Sequence, residues 1–196
     1  WKQTPFVHVY DNFRNTLLDS GYVEGEDYFE FYYDWRDDID VLADDLDGYI
    51  ENTVLDGNSD GEKVKLVGHS MGGLVSRAYT QKYEGKGRVE KVVAVGSPHK
   101  GALAAYKGWE GGVTTEWKSW RRLAFELLVQ VHKDLYETKI DAVRDLAPST
   151  KQMIPIFNFL KKDGEEVQVE ELLHYNHYLA NLKDSLSDSV KGVFNF

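Results

Sequence analysis

The chain has 196 residues, 42% hydrophobic and 13% aromatic, which suits one folded domain with a core that needs neither disulfides nor metal. With 33 acidic against 23 basic residues its net charge is −10, a balance that repels phosphate backbones and excludes nucleic acid as a partner. There is no cysteine, which removes disulfides, a thiol nucleophile and thiolate metal sites, and there is no apolar run of the roughly 18 residues a membrane span needs.

The sequence opens at Trp1 without an initiator Met or an apolar signal-type segment. It reads as a processed or excised piece, with any targeting signal outside it. The compartment stays open, with secretion or the cell surface as the expectation.

In chain order, Val9, Phe13, Leu17 and Leu18 predict a first helix from Val9 to Leu18, stopped at Gly21. The aromatic run Tyr28 to Tyr33 alternates in part and predicts a strand. Ile39, Leu42, Leu46, Ile50 and Val54 recur at helical spacing and predict an amphipathic helix from Asp37 to Leu55. Its acidic face, Asp37 to Asp47, reads as solvated. After a turn-rich break at 56–61, Lys63 to Gly68 predicts a short strand. A helix from Gly72 to about Tyr83 follows, with Leu74, Val75, Ala78 and Tyr79 on one side, and then a strand from Val89 to Gly96. This alternation predicts an α/β fold with a mostly parallel sheet flanked by helices.

Beyond Gly101 the pattern changes. Gly108 to Thr115 predicts a loop, and Trp117 to about Thr138 a long helix. Lys161 to Gly164 reads as a turn, and Glu170 to Leu186 as another helix. Val190 to Phe196 reads as the start of a strand. Residues 1–101 therefore read as the core and 102–196 as a largely helical cap with the start of a C-terminal core segment, all in one structural domain.

The chemistry concentrates at Gly68-His69-Ser70-Met71-Gly72, a G-x-S-x-G pattern between an apolar strand and an apolar helix. A sharp strand-to-helix turn lifts the serine hydroxyl above the sheet edge. The turn crowds main chain against main chain, so Gly68 and Gly72 are expected to be small for steric reasons. The helix behind Ser70 aims N–H groups at a developing oxyanion, that of Met71 first.

GHSMGG (68–73) followed by VVAVGSPHKGA (92–102), with FYYDWR (31–36) before them and DLAPS (145–149) and PIFNF (155–159) after, resembles the serine α/β-hydrolases of the lipase and lecithin:cholesterol acyltransferase branch. The resemblance covers about residues 10 to 185. It implies Ser70 as nucleophile of a serine esterase or lipase acting on lipid or other small carboxylic esters, and the Met71 N–H as half of an oxyanion hole. An O-acyltransferase or a non-catalytic hydrolase-like module of a larger protein are the alternatives. It calls for no cofactor and no metal. Lipid-surface contact through the cap is a further expectation, without any integral membrane segment. It also implies a triad in the order serine, acid, histidine, with acid and base expected beyond Phe196 and the second oxyanion donor ahead of the first helix. On that expectation the domain is incomplete and lacks some strands at both ends.

Inside the chain the alternatives are weaker. His177 as base with Asp163 as acid keeps the triad order, although Asp163 lies in the Lys161–Gly164 turn. His174 and His177, three apart on the predicted last helix, are either a metal-binding pair or polar positions. His69 reads as packing and His99 as a structural part of its Pro-His-Lys-Gly turn. His8 and His132 carry no signal. Trp35 lines an acyl pocket or stands beside an Asp34–Arg36 ion pair, the structural reading being favoured. The apolar stripe from Trp117 to Leu135 faces the core or forms a lid.

Overall fold

The computed structural model describes residues 10–56, 62–112, 135–185 and 187–195. Helix α1 (Asp11–Asp19) corresponds to the first predicted helix, and the chain turns at Gly21 with φ of 96°. The predicted strand at 28–33 does not form. The run is irregular, and only an isolated bridge joins Glu24 to Tyr28. Its aromatic alternation is used for packing instead. Phe31 and Tyr33 stack at 5.7 Å and lie on the core, while Tyr28 and Tyr32 both donate to the Glu30 carboxylate. The Glu30 carbonyl accepts from the Tyr49 hydroxyl at 3.2 Å, so a side chain meets a group that a ladder would otherwise use.

Helix α2 (Ile39–Tyr49) continues as a wider π turn over Ile50–Val54. Ile39, Leu42, Leu46 and Ile50 are buried, as their spacing predicts. Strand β1 (Val64–His69), helix α3 (Met71–Lys82) and strand β2 (Val89–Val95) then form a parallel crossover unit, with Leu66 opposite Val92 and Gly68 opposite Ala94. Leu74, Val75, Ala78 and Tyr79 of α3 meet the α2 stripe in the largest core cluster.

The second half departs further from the sequence reading. Helix α4 (Leu103–Gly111) occupies much of the predicted Gly108–Thr115 loop. Ala105, Gly108 and Trp109 bury one face at helical spacing, and that burial overrides the roughly 1 kcal/mol by which each glycine disfavours a helix. Gly112, at φ of 61°, ends it. The stripe predicted from Trp117 lies outside the described residues except at its end, where Leu135 is exposed. Helices α5 (Lys139–Leu146) and α6 (Ser149–Gln152) follow, then a hairpin of β3 (Leu160–Lys162) and β4 (Glu165–Val167). The hairpin turns through Asp163 and Gly164, both at positive φ (53° and 90°), the backbone that Asp-Gly favours in two-residue connections.

The helix predicted over Glu170–Leu186 exists only in its second half, as α7 (His177–Asp184). Asn176 sets its start by accepting from the Leu179 N–H at 3.0 Å. Likewise Ser187 caps α8 (Asp188–Val193), so the predicted last strand is delayed to β5 (Phe194–Asn195), parallel to β2. The sheet order is β1-β2-β5. No described helix is long and apolar enough to cross a membrane.

One segment ties the two halves together. Ser149 donates from its main chain to Arg36 O at 3.2 Å and from its hydroxyl to Trp35 O at 2.8 Å. Gln152 accepts from the Ile39 N–H at 2.7 Å and donates to Asp38 at 2.8 Å, completing the start of α2. Ala102 N–H donates to Met153 O, and Ile156 N–H to Lys100 O.

Candidate active site

Ser70 stands where β1 turns into α3, with φ of 55° and ψ of −124°. Among the described non-glycine residues only Asp56 and Asp163 share a positive φ, and for an L-residue such a conformation is strained by about 1–3 kcal/mol. Ser70 N–H donates to Val95 O at 2.9 Å and Ser70 O accepts from Gly73 N–H at 3.1 Å, so the main chain on both sides is fixed. The Ser70 side chain makes no capping bond to α3.

The need for small residues falls differently from the motif. A Cβ on Gly68 would stand 2.5 Å from the Gly72 and Gly73 main chain, so this glycine lets α3 close onto β1. A Cβ on Gly73 would come within 2.7 Å of the Ser97 Cβ. A Cβ on Gly72 would meet nothing nearer than the Tyr33 hydroxyl at 3.4 Å, an ordinary contact. Steric need therefore rests on Gly68 and Gly73 rather than on Gly68 and Gly72.

The histidines are scattered. His69 is exposed, with Nδ1 2.8 Å from the Tyr10 hydroxyl. His99 is half-buried in its turn and edge-on to Phe194, and burial followed by the Arg77 charge holds its pKa below the ordinary value. That turn docks through Gly101, where a Cβ would stand 2.5 Å from Ile154 O.

His174 and His177 do not share a helix face, because Asn176 begins α7 between them. His177 is exposed, with Tyr175 edge-on at 4.9 Å. Asp163 is exposed at the hairpin tip, and no hydrogen bond or ion pair between it and His177 is present among the described residues. His8 and His132 lie outside the described residues.

The structure adds a pair that spacing does not reveal. His174 Nδ1 is 2.5 Å from a carboxylate oxygen of Glu110, 64 positions earlier, and Trp109 stands edge-on to the same imidazole at 6.1 Å. Arg144 approaches Glu110 at 3.6 Å. A carboxylate on Nδ1 orients an imidazole as a general base requires. No local sequence signal points to it, since its members come from α4 and from the loop ahead of α7.

Asp34 and Arg36 form a bidentate pair, with Nε donating to Oδ1 at 2.9 Å, and Arg36 holds the Asp34 carboxyl below its ordinary range. Trp35 packs between the main core and the Val143–Ala147 cluster.

Among solved structures the chain is similar to one in the Tle4–Tli4 complex, with 27% identity and a TM-score of 0.43, over 65% of this chain and 25% of that one. It is also similar to the mature Bacillus licheniformis lipase BlEst2, with 18% identity and a TM-score of 0.31, over 76% of this chain and 67% of the lipase. The chain thus spans a quarter of the length of the first. No curated protein sequence matches it. The lecithin:cholesterol acyltransferase family model matches residues 3–185, almost the whole chain, and the chain belongs to that family.

Proposed function

We propose that Ser70 is the nucleophile of a carboxylic-ester hydrolase or acyltransferase acting on lipid esters. The observation that carries this reading is the Ser70 backbone, held at φ of 55° between β1 and α3. Strain of about 1–3 kcal/mol persists where the surroundings enforce it, and such positions cluster at active sites. A serine so placed presents Oγ at the carboxyl edge of a parallel sheet, where open α/β folds bind their ligands. Membership of the family supports a lipid ester as substrate.

In the proposed cycle a general base takes the Oγ proton as Ser70 attacks the ester carbonyl. The Met71 N–H, a first-turn donor of α3, holds the oxyanion. The alcohol leaves with the proton, and water or an acceptor alcohol then attacks acyl-Ser70. His174, with its carboxylate partner, is the first described histidine to test as base, and His177 with Asp163 the second.

The experiment is labelling by a fluorophosphonate, mapped by mass spectrometry, with Ser70→Ala as control. Labelling at Ser70 that disappears in the variant supports the reading. Removing a general base lowers the rate by up to about a million-fold in dissected triads, so His174→Ala or His177→Ala should abolish labelling if either is the base. A folded chain that is not labelled fits either a non-catalytic hydrolase-like module or a nucleophile whose acid and base lie beyond Phe196, and the same probe on a longer chain separates the two.

A further inference from the structure

We propose that the cleft between the starts of α2 and α7 and the end of α4 binds a small organic anion, a carboxylate or phosphate on a short apolar body. The proposal goes beyond the ester chemistry of Ser70 and does not depend on it.

The placement follows from ion pairs at the far end of α2. Lys86 and Arg88, just ahead of β2, reach Asp47 and Glu51 at 2.6 to 3.2 Å, so the end of α2 lies at the amino edge of the sheet. Its first residues therefore lie toward the carboxyl edge, where Ser70 emerges, about 1.5 Å further per residue. The cleft there has a volume of 290 Å³. Ligand pockets run from about 300 to 1,000 Å³, so this one suits a headgroup or a short chain rather than a whole lipid.

The polar groups of the wall divide into engaged and unengaged sets. The Asp38 carboxylate accepts from the Asp40 N–H at 2.9 Å and from Gln152 at 2.8 Å. The Asn176 side chain donates to Gln152 O and Ile154 O and caps α7. The Tyr178 hydroxyl donates to Asp40 at 3.2 Å. What remains is donor in character. The Lys151 ammonium, 5.9 Å from the Trp109 ring centroid, has no ion-pair partner among the described residues. The Trp109 indole N–H has no acceptor among the described residues but is shut off from solvent, so a ligand meets the ring rather than this donor. The His177 ring lines the same cleft.

An ammonium ligand is disfavoured, because the Trp109 ring already carries Lys151 and, at 5.4 Å, Arg144. Arg144 is balanced by Glu110, whereas Lys151 is not. An anion on Lys151 gains a charge-assisted hydrogen bond, while Trp109, Tyr175 and Pro148 cover its apolar part. Asp38 opposes the anion, so Lys151 must carry the balance.

The test is calorimetric titration of the full chain with hexanoate and with glycerol 3-phosphate, using hexanol and hexylamine as controls. Submillimolar binding of one anion and of neither control is expected. Hexanoate would identify an acyl carboxylate and glycerol 3-phosphate a headgroup phosphate. Lys151→Gln, at an exposed position, should weaken binding about tenfold or more, Lys151→Arg should retain it, and Trp109→Phe should weaken it several-fold. Ser70→Ala should bind as the parent does, which separates this site from the nucleophile. Absence of binding by either anion, or equal binding by a folded Lys151→Gln variant, overturns the proposal.

Discussion

Replacing each elbow glycine by alanine tests whether main-chain approach is what the G-x-S-x-G motif secures. In Gly68→Ala the new Cβ lies 2.5 Å from main-chain atoms of Gly72 and Gly73, so relief requires α3 to move off β1. Overpacking of this kind costs about 1–3 kcal/mol, and contact with main chain puts Gly68→Ala at about 3. In Gly73→Ala the neighbour is the Ser97 side chain, 2.7 Å away at Cβ, which can yield in part, so about 1–2 kcal/mol is expected. Gly72→Ala meets only the Tyr33 hydroxyl at 3.4 Å and gains up to about 0.5–1 kcal/mol of helix propensity. Urea unfolding resolves these values. With a slope near 2 kcal/mol/M, a loss of about 3 kcal/mol moves the midpoint by roughly 1.5 M. Gly72→Ala should match or exceed the parent. An unmoved midpoint for Gly68→Ala, or a loss in Gly72→Ala as large as in Gly68→Ala, would refute the steric account.

Ser70→Gly should abolish fluorophosphonate labelling yet stabilise the fold by about 1 kcal/mol, since glycine accepts a φ of 55° and relieves strain larger than its own entropic penalty. Thermal melting of the two proteins side by side checks the sign. Asn176→Ala removes the α7 cap and two donors to the Gln152 and Ile154 carbonyls, so a loss of about 2–4 kcal/mol is expected in denaturant unfolding. Because burial and Arg77 hold the folded His99 pKa below its ordinary 6.5, the unfolded chain takes the proton first. Stability from this group is therefore full above about pH 6.5 and declines as pH falls below it, levelling beneath the folded pKa. Stability curves for His99→Gln should lack that decline below about pH 6.5.

The parts of the fold legible in the sequence are those where one short-range rule decides. The α2 and α3 stripes bury as their spacing demands, and the β1–Ser70–α3 turn lies where G-x-S-x-G puts it. Long-range partners decided the remainder. The run 28–33 has strand-like alternation, yet alternation is no ladder without a neighbour, and Phe31 and Tyr33 pack on the core cluster of α2 and α3 instead. Gly108 and Gly111 argued for a loop until burial of Ala105 and Trp109 outweighed them. The α7 boundary depends on the Asn176 side chain, whose other contacts lie 22 and 24 positions earlier. Ser70 was readable from neighbouring residues, whereas the Glu110–His174 pair, 64 positions apart, forms only through the fold.

The bonds from Ser149 and Gln152 back to Trp35, Arg36, Asp38 and Ile39 span 113 or 114 positions. Joining such distant points sets the tempo of folding. The entropy of closing a loop rises slowly, by about 0.6 kcal/mol per doubling of its length, but it must be met before the contacts return anything. The Gln152 contacts at the start of α2 therefore form only once α6 has docked, so this helix end is completed later than the local α2–α3 packing requires. Residues 1–101 produced alone would leave the Ile39 N–H without its Gln152 acceptor, and the native arrangement would have to be recovered by the two fragments meeting in trans.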